Sequence, residues 1–176
     1  MTMAMQSGEL DAAYGLPYAS LPLFAEKPYT ISSVETSRSF FGQMNYDTPA
    51  LQDEKVRKAI AMSIDKENFT KTLLDGNGTA AEGPFPANFA FGDDTVTAPK
   101  YNPEEARKLL EEAGWKDSDG DGYVDKNGEN LTIRWVTYPS RQELPLLAES
   151  VQATMKEVGI KVDVNCSADF QSFLDK

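Results

Sequence analysis

Carboxylates are the residues in this sequence best placed for chemistry. Asp117, Asp119, Asp121 and Asp125 are spread along the run Asp117-Ser118-Asp119-Gly120-Asp121-Gly122-Tyr123-Val124-Asp125. Carboxylates at alternate positions of a tight loop converge, and a converging set suits a hard cation such as calcium. The order D-x-D-x-D-G opens the pattern of a calcium loop, with the Tyr123 carbonyl at the seventh place. The twelfth place asks for a bidentate Glu, but Gly128 stands there and Glu129 comes one residue late. The flanks depart as well, because the next regular element reads as a strand and not as the helix of an EF-hand. The same residues also suit a plain polar turn, in which Asp side chains accept from nearby backbone N–H groups. A calcium site and a hydrogen-bonded turn are the two readings of the loop.

Other chemistries are easier to dismiss. The chain has no His, which removes His-based triads and His metal clusters. It has no glycine-rich phosphate loop and no dinucleotide fingerprint. Carboxylates are plentiful, as they are in any chain with 28 acidic against 17 basic residues, and none has an evident catalytic partner. The sequence therefore predicts a protein that is not an enzyme. A net charge of −11 without a basic run argues against nucleic acid or an anionic membrane surface as partner. No apolar run approaches the ~20 residues of a membrane span. The single Cys166 cannot make an internal disulfide, and we expect a small, partly buried residue there.

The elements that must position the acidic loop lie on both sides of it. Before it, Asn102 is an N-cap and Pro103 takes the first helical position, where a missing N–H costs nothing. Glu105 is spaced to complete a capping box. Ala106, Leu109, Leu110 and Ala113 share one face, and Gly114 ends the helix in a left-handed conformation, giving a helix over 103–113. After the loop, residues 131–138 are β-branched and aromatic enough for a strand. A helix follows with Leu147, Val151, Thr154, Met155 and Val158 as its buried stripe. Ser140 with Glu143 would make a capping box, but Pro145 would then sit inside the helix at ~3 kcal/mol. The reading that avoids this starts the helix near Leu144. Gly159 closes it, and 160–164 reads as a second strand. Strand, helix, strand predicts a parallel pair with a right-handed crossover.

Upstream, 7–17 reads as a turn, a short strand and a breaker, and 20–25 as a short helix. Residues 29–36 and 38–45 read as strands. Asp53 caps a helix with Val56, Ala59, Ile60 and Ser63 on one face, and Asp65 caps a second piece from Lys66 to Leu74, so 53–74 is a helix pair. Residues 80–100 are mostly loop, broken by Gly83, Pro84, Pro86, Gly92 and Pro99. Phe85, Phe89 and Phe91 lie within it. Phe170, Phe173 and Leu174 fall at helical spacing in the tail. The fold class predicted is α/β, a mixed sheet packed with helices.

Several of these phrases carry a family resemblance. Tyr101-Asn102-Pro103-Glu104-Glu105-Ala106-Arg107-Lys108-Leu109-Leu110-Glu111-Glu112-Ala113-Gly114-Trp115 resembles a phrase of the peptide/nickel-type, family 5, solute-binding proteins of ABC importers. Asp53-Glu54-Lys55-Val56-Arg57-Lys58-Ala59-Ile60, Ile64-Asp65-Lys66-Glu67 and Met155-Lys156-Glu157-Val158-Gly159-Ile160-Lys161-Val162 resemble three more, in the same order. The resemblance implies part of a two-lobed, type II periplasmic-binding fold: 1–37 as the end of the first lobe with hinge-proximal strands, and 38–176 as an incomplete second lobe. It implies capture of a small peptide or a nickel chelate and delivery to ABC permease subunits. It also implies an extracytoplasmic place, in the periplasm or as a lipoprotein on the outer face of the membrane, with the leader outside this sequence. Phe85, Phe89 and Phe170 become candidate ligand contacts; the alternative for the loop phenylalanines is to plug the loop onto its own lobe. Asp117, Asp119, Asp121, Tyr123 and Asp125 remain the candidate calcium set, and a calcium-dependent structural or adhesion module is the competing function.

Overall fold

Two parallel strands carry the core. β3 (Thr132–Thr137) and β4 (Lys161–Cys166) pair in register, Ile133 opposite Val162 and Trp135 opposite Val164. Between them runs α5 (Glu143–Glu157), so the predicted βαβ unit is present. The computed structural model describes residues 1–86, 89–92 and 95–169.

Side chains alternate across the pair. Ile133 and Val162 are buried, and Trp135 and Val164 pack against the same cluster. The opposite face, with Thr132, Arg134, Lys161 and Asp163, is exposed. That departs from the double cover usual for parallel strands. α5 covers the apolar face through Ala148, Val151 and Met155. Its Gln152 Nε2 also donates to the Val162 carbonyl at 2.7 Å, which satisfies an acceptor of β4.

The remaining core comes from α2 (Glu54–Met62) and α4 (Pro103–Glu112). Both N-termini are capped as the sequence predicts: Asp53 accepts from the Lys55 N–H and Asn102 from the Glu105 N–H. The capping box at Asn102 is only half formed. The Asn102 N–H donates instead to the Met62 carbonyl at 2.8 Å, pinning the start of α4 to the end of α2, and the Glu105 carboxylate turns to Lys108. Val56, Ala59, Ile60, Ala106 and Leu110 are buried, with Ser63 buried beside them and donating to the Ile60 carbonyl. Burying a side chain such as Leu110 contributes about 1.5–3 kcal/mol.

Several expectations need correction. Residues 29–36 and 38–45 form no strand, and among the described residues the strands are a parallel pair and a separate short hairpin, not one mixed sheet. Strand propensity is realised only on a partner's ladder. The 38–45 stretch instead crosses the side chains of β3: a Cβ at Gly42 would sit 3.4 Å from Trp135 Cη2. Residues 7–17 form bends without a strand, and an unexpected helix, α1 (Thr2–Gln6), precedes them. The 53–74 pair is shorter than read. After α2 come α3 (Lys66–Asn68), capped by Asp65, and a π-helical turn at Phe69–Leu73. The short helix expected at 20–25 is a 3₁₀ helix, Tyr18–Phe24. α5 starts at Glu143, with Gln142 as an N-cap whose side chain does not bond to the first turn, so the Ser140–Glu143 box is absent; Pro145 falls in the first turn as expected. Cys166 is exposed, not partly buried, because it occupies the last position of an edge strand.

Candidate functional site

The acidic loop folds on its own hydrogen bonds. Asp117 Oδ1 accepts from the Gly120 N–H at 2.7 Å and its Oδ2 from the Gly122 N–H at 3.1 Å. Asp119 accepts from the Asp121 N–H at 3.1 Å. Asp125, only 8 % exposed, takes both the Ser118 N–H at 2.7 Å and the Ser118 hydroxyl at 2.8 Å. These three carboxylates converge, with one oxygen of each within 4.8 Å of the others.

Asp121, predicted to join them, is turned away. It accepts from the Tyr123 N–H and from Asn130 Nδ2, both at 2.8 Å. The Tyr123 bond first and the Asn130 bond second hold its carboxyl below the ordinary value. Gly128, at the twelfth place of the calcium pattern, is a turn residue. With Asn127 (φ +57°) and its own φ of +81° it links β1 (Asp125–Lys126) to β2 (Glu129–Asn130). Both residues in the left-handed region make this the two-residue hairpin that Asn-Gly favours. The dipeptide was the signal for the hairpin, and the calcium reading passed over it.

The loop is also fastened to the core. Lys126 Nζ donates to the Ala113 carbonyl at 2.9 Å, capping the end of α4, and lies 5.8 Å from the centre of the Trp115 ring. Gly114 is left-handed, as expected, with φ +85°. Arg107 donates twice to the Glu157 carbonyl at the end of α5, and the Tyr101 hydroxyl donates to the Glu157 carboxylate at 2.9 Å. A concavity of about 410 Å³ lies beside this framework, lined by Arg107, Trp115, Lys116, Asp117 and Glu157 among others.

A second concavity, of about 450 Å³, opens at the carboxyl ends of the parallel strands. Tyr138, Pro139, Ser140 and Arg141 line it where the chain leaves β3, and Ala168 lines it beyond β4. The Ser167 N–H donates to the Thr137 carbonyl at 3.0 Å and holds the two exits together. In open α/β sheets this crevice is the usual place for a ligand. Its cation is Arg141, whose exposed side chain makes no ion pair among the described residues. Next to it, Gln142 Nε2 donates to the Leu16 carbonyl at 3.3 Å, so the N-terminal segment leans on the start of α5. Glu143 is buried there. Burial first, and then the nearby Glu143 carboxylate, raises the Tyr18 phenol above its ordinary value.

Of the candidate ligand contacts, Phe85 and Phe91 are each 59 % exposed. Phe89 stacks on Phe91 at 5.4 Å between centroids, and Phe85 meets Phe91 edge-on at 6.1 Å. The three rings therefore pack on one another, and none belongs to the core cluster. Phe170 and the tail helix lie outside the described residues. Sequence reasoning missed Tyr138, Ser140 and Arg141, taking Ser140 only as a possible cap. Their place directly after the first strand of a βαβ unit was the available signal.

Comparison with known proteins agrees with this architecture. The family model for bacterial extracellular solute-binding proteins, family 5 Middle, matches residues 1–176. The oligopeptide-binding protein AppA of Bacillus subtilis is 35 % identical over 121 residues, which is 67 % of this chain and 22 % of AppA. The nickel-binding periplasmic protein of Escherichia coli is 25 % identical over 167 residues, 92 % of this chain and 32 % of the relative. Among solved structures, NikA from Brucella suis in complex with Fe(III)-EDTA superposes with a TM-score of 0.83 at 26 % identity, covering 98 % of this chain and 36 % of that one. AppA with a nonapeptide gives 0.66 at 30 % identity, covering 74 % and 26 %. The chain thus spans about a quarter to a third of the length of these proteins, and its α/β architecture is that of one part of their two-lobed fold. With residues 1–176 all matched by the family's model, this chain belongs to the bacterial extracellular solute-binding proteins of family 5.

Proposed function

We propose that this chain forms one wall of the ligand cleft in the solute receptor of an ABC importer. The receptor captures a small peptide or a nickel chelate outside the membrane and hands it to the permease. Residues 1–37 then approach from the first lobe and 38–176 belong to the second, whose closure over ligand is a hinge motion. The observation that carries this reading is the concavity at the carboxyl ends of β3 and β4, with Arg141 at its rim. Peptides end in a carboxylate, and many metal chelators carry one, so a guanidinium is suited to either. The exposed ring of Phe85 and the half-buried ring of Phe89 offer apolar contacts, and Phe170 follows the exit of β4 in sequence. Relatives named for oligopeptide, nickel and glutathione binding support a receptor role of this class.

The calcium module has less behind it. Asp121 is committed to Asn130, and Gly128 makes a turn where a bidentate Glu would be needed.

The test is mass spectrometry of what co-purifies with a full-length receptor carrying these residues, then calorimetric titration with dipeptides, oligopeptides and nickel chelates. An Arg141→Gln receptor should bind its carboxylate-bearing ligand about tenfold more weakly or worse, the loss of a charged hydrogen bond of about 1.5–3 kcal/mol. Unchanged affinity for every ligand would remove this concavity from the site. The chain by itself should bind none of these ligands tightly, because it offers one wall of the cleft.

A further inference from the structure

We draw no further inference here: the strongest candidate, the cluster of Asp117, Asp119 and Asp125 carboxylates on the loop after α4, carries nothing further because its oxygens accept from the loop's own Ser118, Gly120, Asp121 and Gly122 and no second observation in the structure points to a ligand.

Discussion

The backbone N–H of Val124 donates to the carbonyl of Gly159 at 2.8 Å. This one bond docks the exit of the acidic loop onto the turn between α5 and β4. The approach is close: a Cβ at Gly159 would lie 2.9 Å from Val124 Cγ1 and 3.2 Å from the Val124 nitrogen. Gly159 is also left-handed, with φ +81°.

Gly159→Ala should therefore destabilise the fold twice over, through a strained backbone and through overpacking against Val124. The expected loss is about 2–4 kcal/mol, and thermal melting should fall by several degrees at roughly 2–4 °C per kcal/mol for a chain of this size. Gly120→Ala is the control. It is left-handed too, but nothing lies within 4 Å of its would-be Cβ, so it should lose only the smaller backbone part. Equal losses in the two variants would show that the Val124 contact has no energetic weight.

On α4, Leu110 is fully buried while its neighbour Leu109 is only partly so. Leu110→Ala should cost about 2–5 kcal/mol, the range for a core leucine, and Leu109→Ala clearly less. Denaturant midpoints at constant slope measure both. The opposite order would mean that α4 presents a different face to α2.

Acid should weaken the acidic loop in a defined window. Asp121 is held below its ordinary value of 3.8, chiefly by the Tyr123 N–H and next by Asn130. A carboxyl depressed in the folded state adds stability that is complete above its unfolded pKa and is lost as pH falls through the folded one. Asn130→Ala removes a donor to the charged form. The stability gap between wild type and this variant should be present at neutral pH and shrink as pH falls below about 4. Urea midpoints taken across that range would show it, and a gap independent of pH would rule out the Asp121 linkage.

Calcium should leave the protein's melting temperature unchanged. The loop's carboxylates already have donors, and its twelfth place lacks a ligand. A site filled at a hundredfold excess over its Kd would add about 2.7 kcal/mol, which is several degrees here. Melts in excess chelator and in several millimolar calcium, for wild type and Asp119→Ala, decide the matter. A calcium-dependent rise in the wild type that vanishes in the variant would establish a site.

What could be read from the sequence was largely what is decided within a few residues. Asn102, Asp53 and Asp65 cap their helices because a cap is a contact with the next two or three N–H groups. The stripe of Val151, Met155 and Val158 follows from helical period, and the parallel pairing of β3 with β4 follows from the helix between them. Residues 29–36 and 38–45 have strand composition, yet whether a strand forms depends on a partner that composition does not supply. The π-turn at Phe69–Leu73 had no local signature either. The candidate site divides in the same way. The acidic loop announced itself by its residues, whereas the Arg141 concavity exists only because two chain exits, distant in sequence, meet at Thr137 and Ser167.

The bond from the Asn102 N–H to the Met62 carbonyl bears on how this fold tolerates changes of length. It fixes the two ends of the intervening chain at the junction of α2 and α4, so an insertion in the irregular part of that chain, beyond the buried Phe69 and Leu74, changes mainly the closure entropy of a loop whose ends are already held. That entropy grows with the logarithm of length, and doubling the loop costs about 0.6 kcal/mol. Removing the Asn102 side chain as an N-cap costs about 0.5–2 kcal/mol. A single substitution at the pinned end therefore weighs about as much as a doubling of the segment it closes, or more, and the segment carrying Phe85, Phe89 and Phe91 can vary in length without rebuilding α2 and α4.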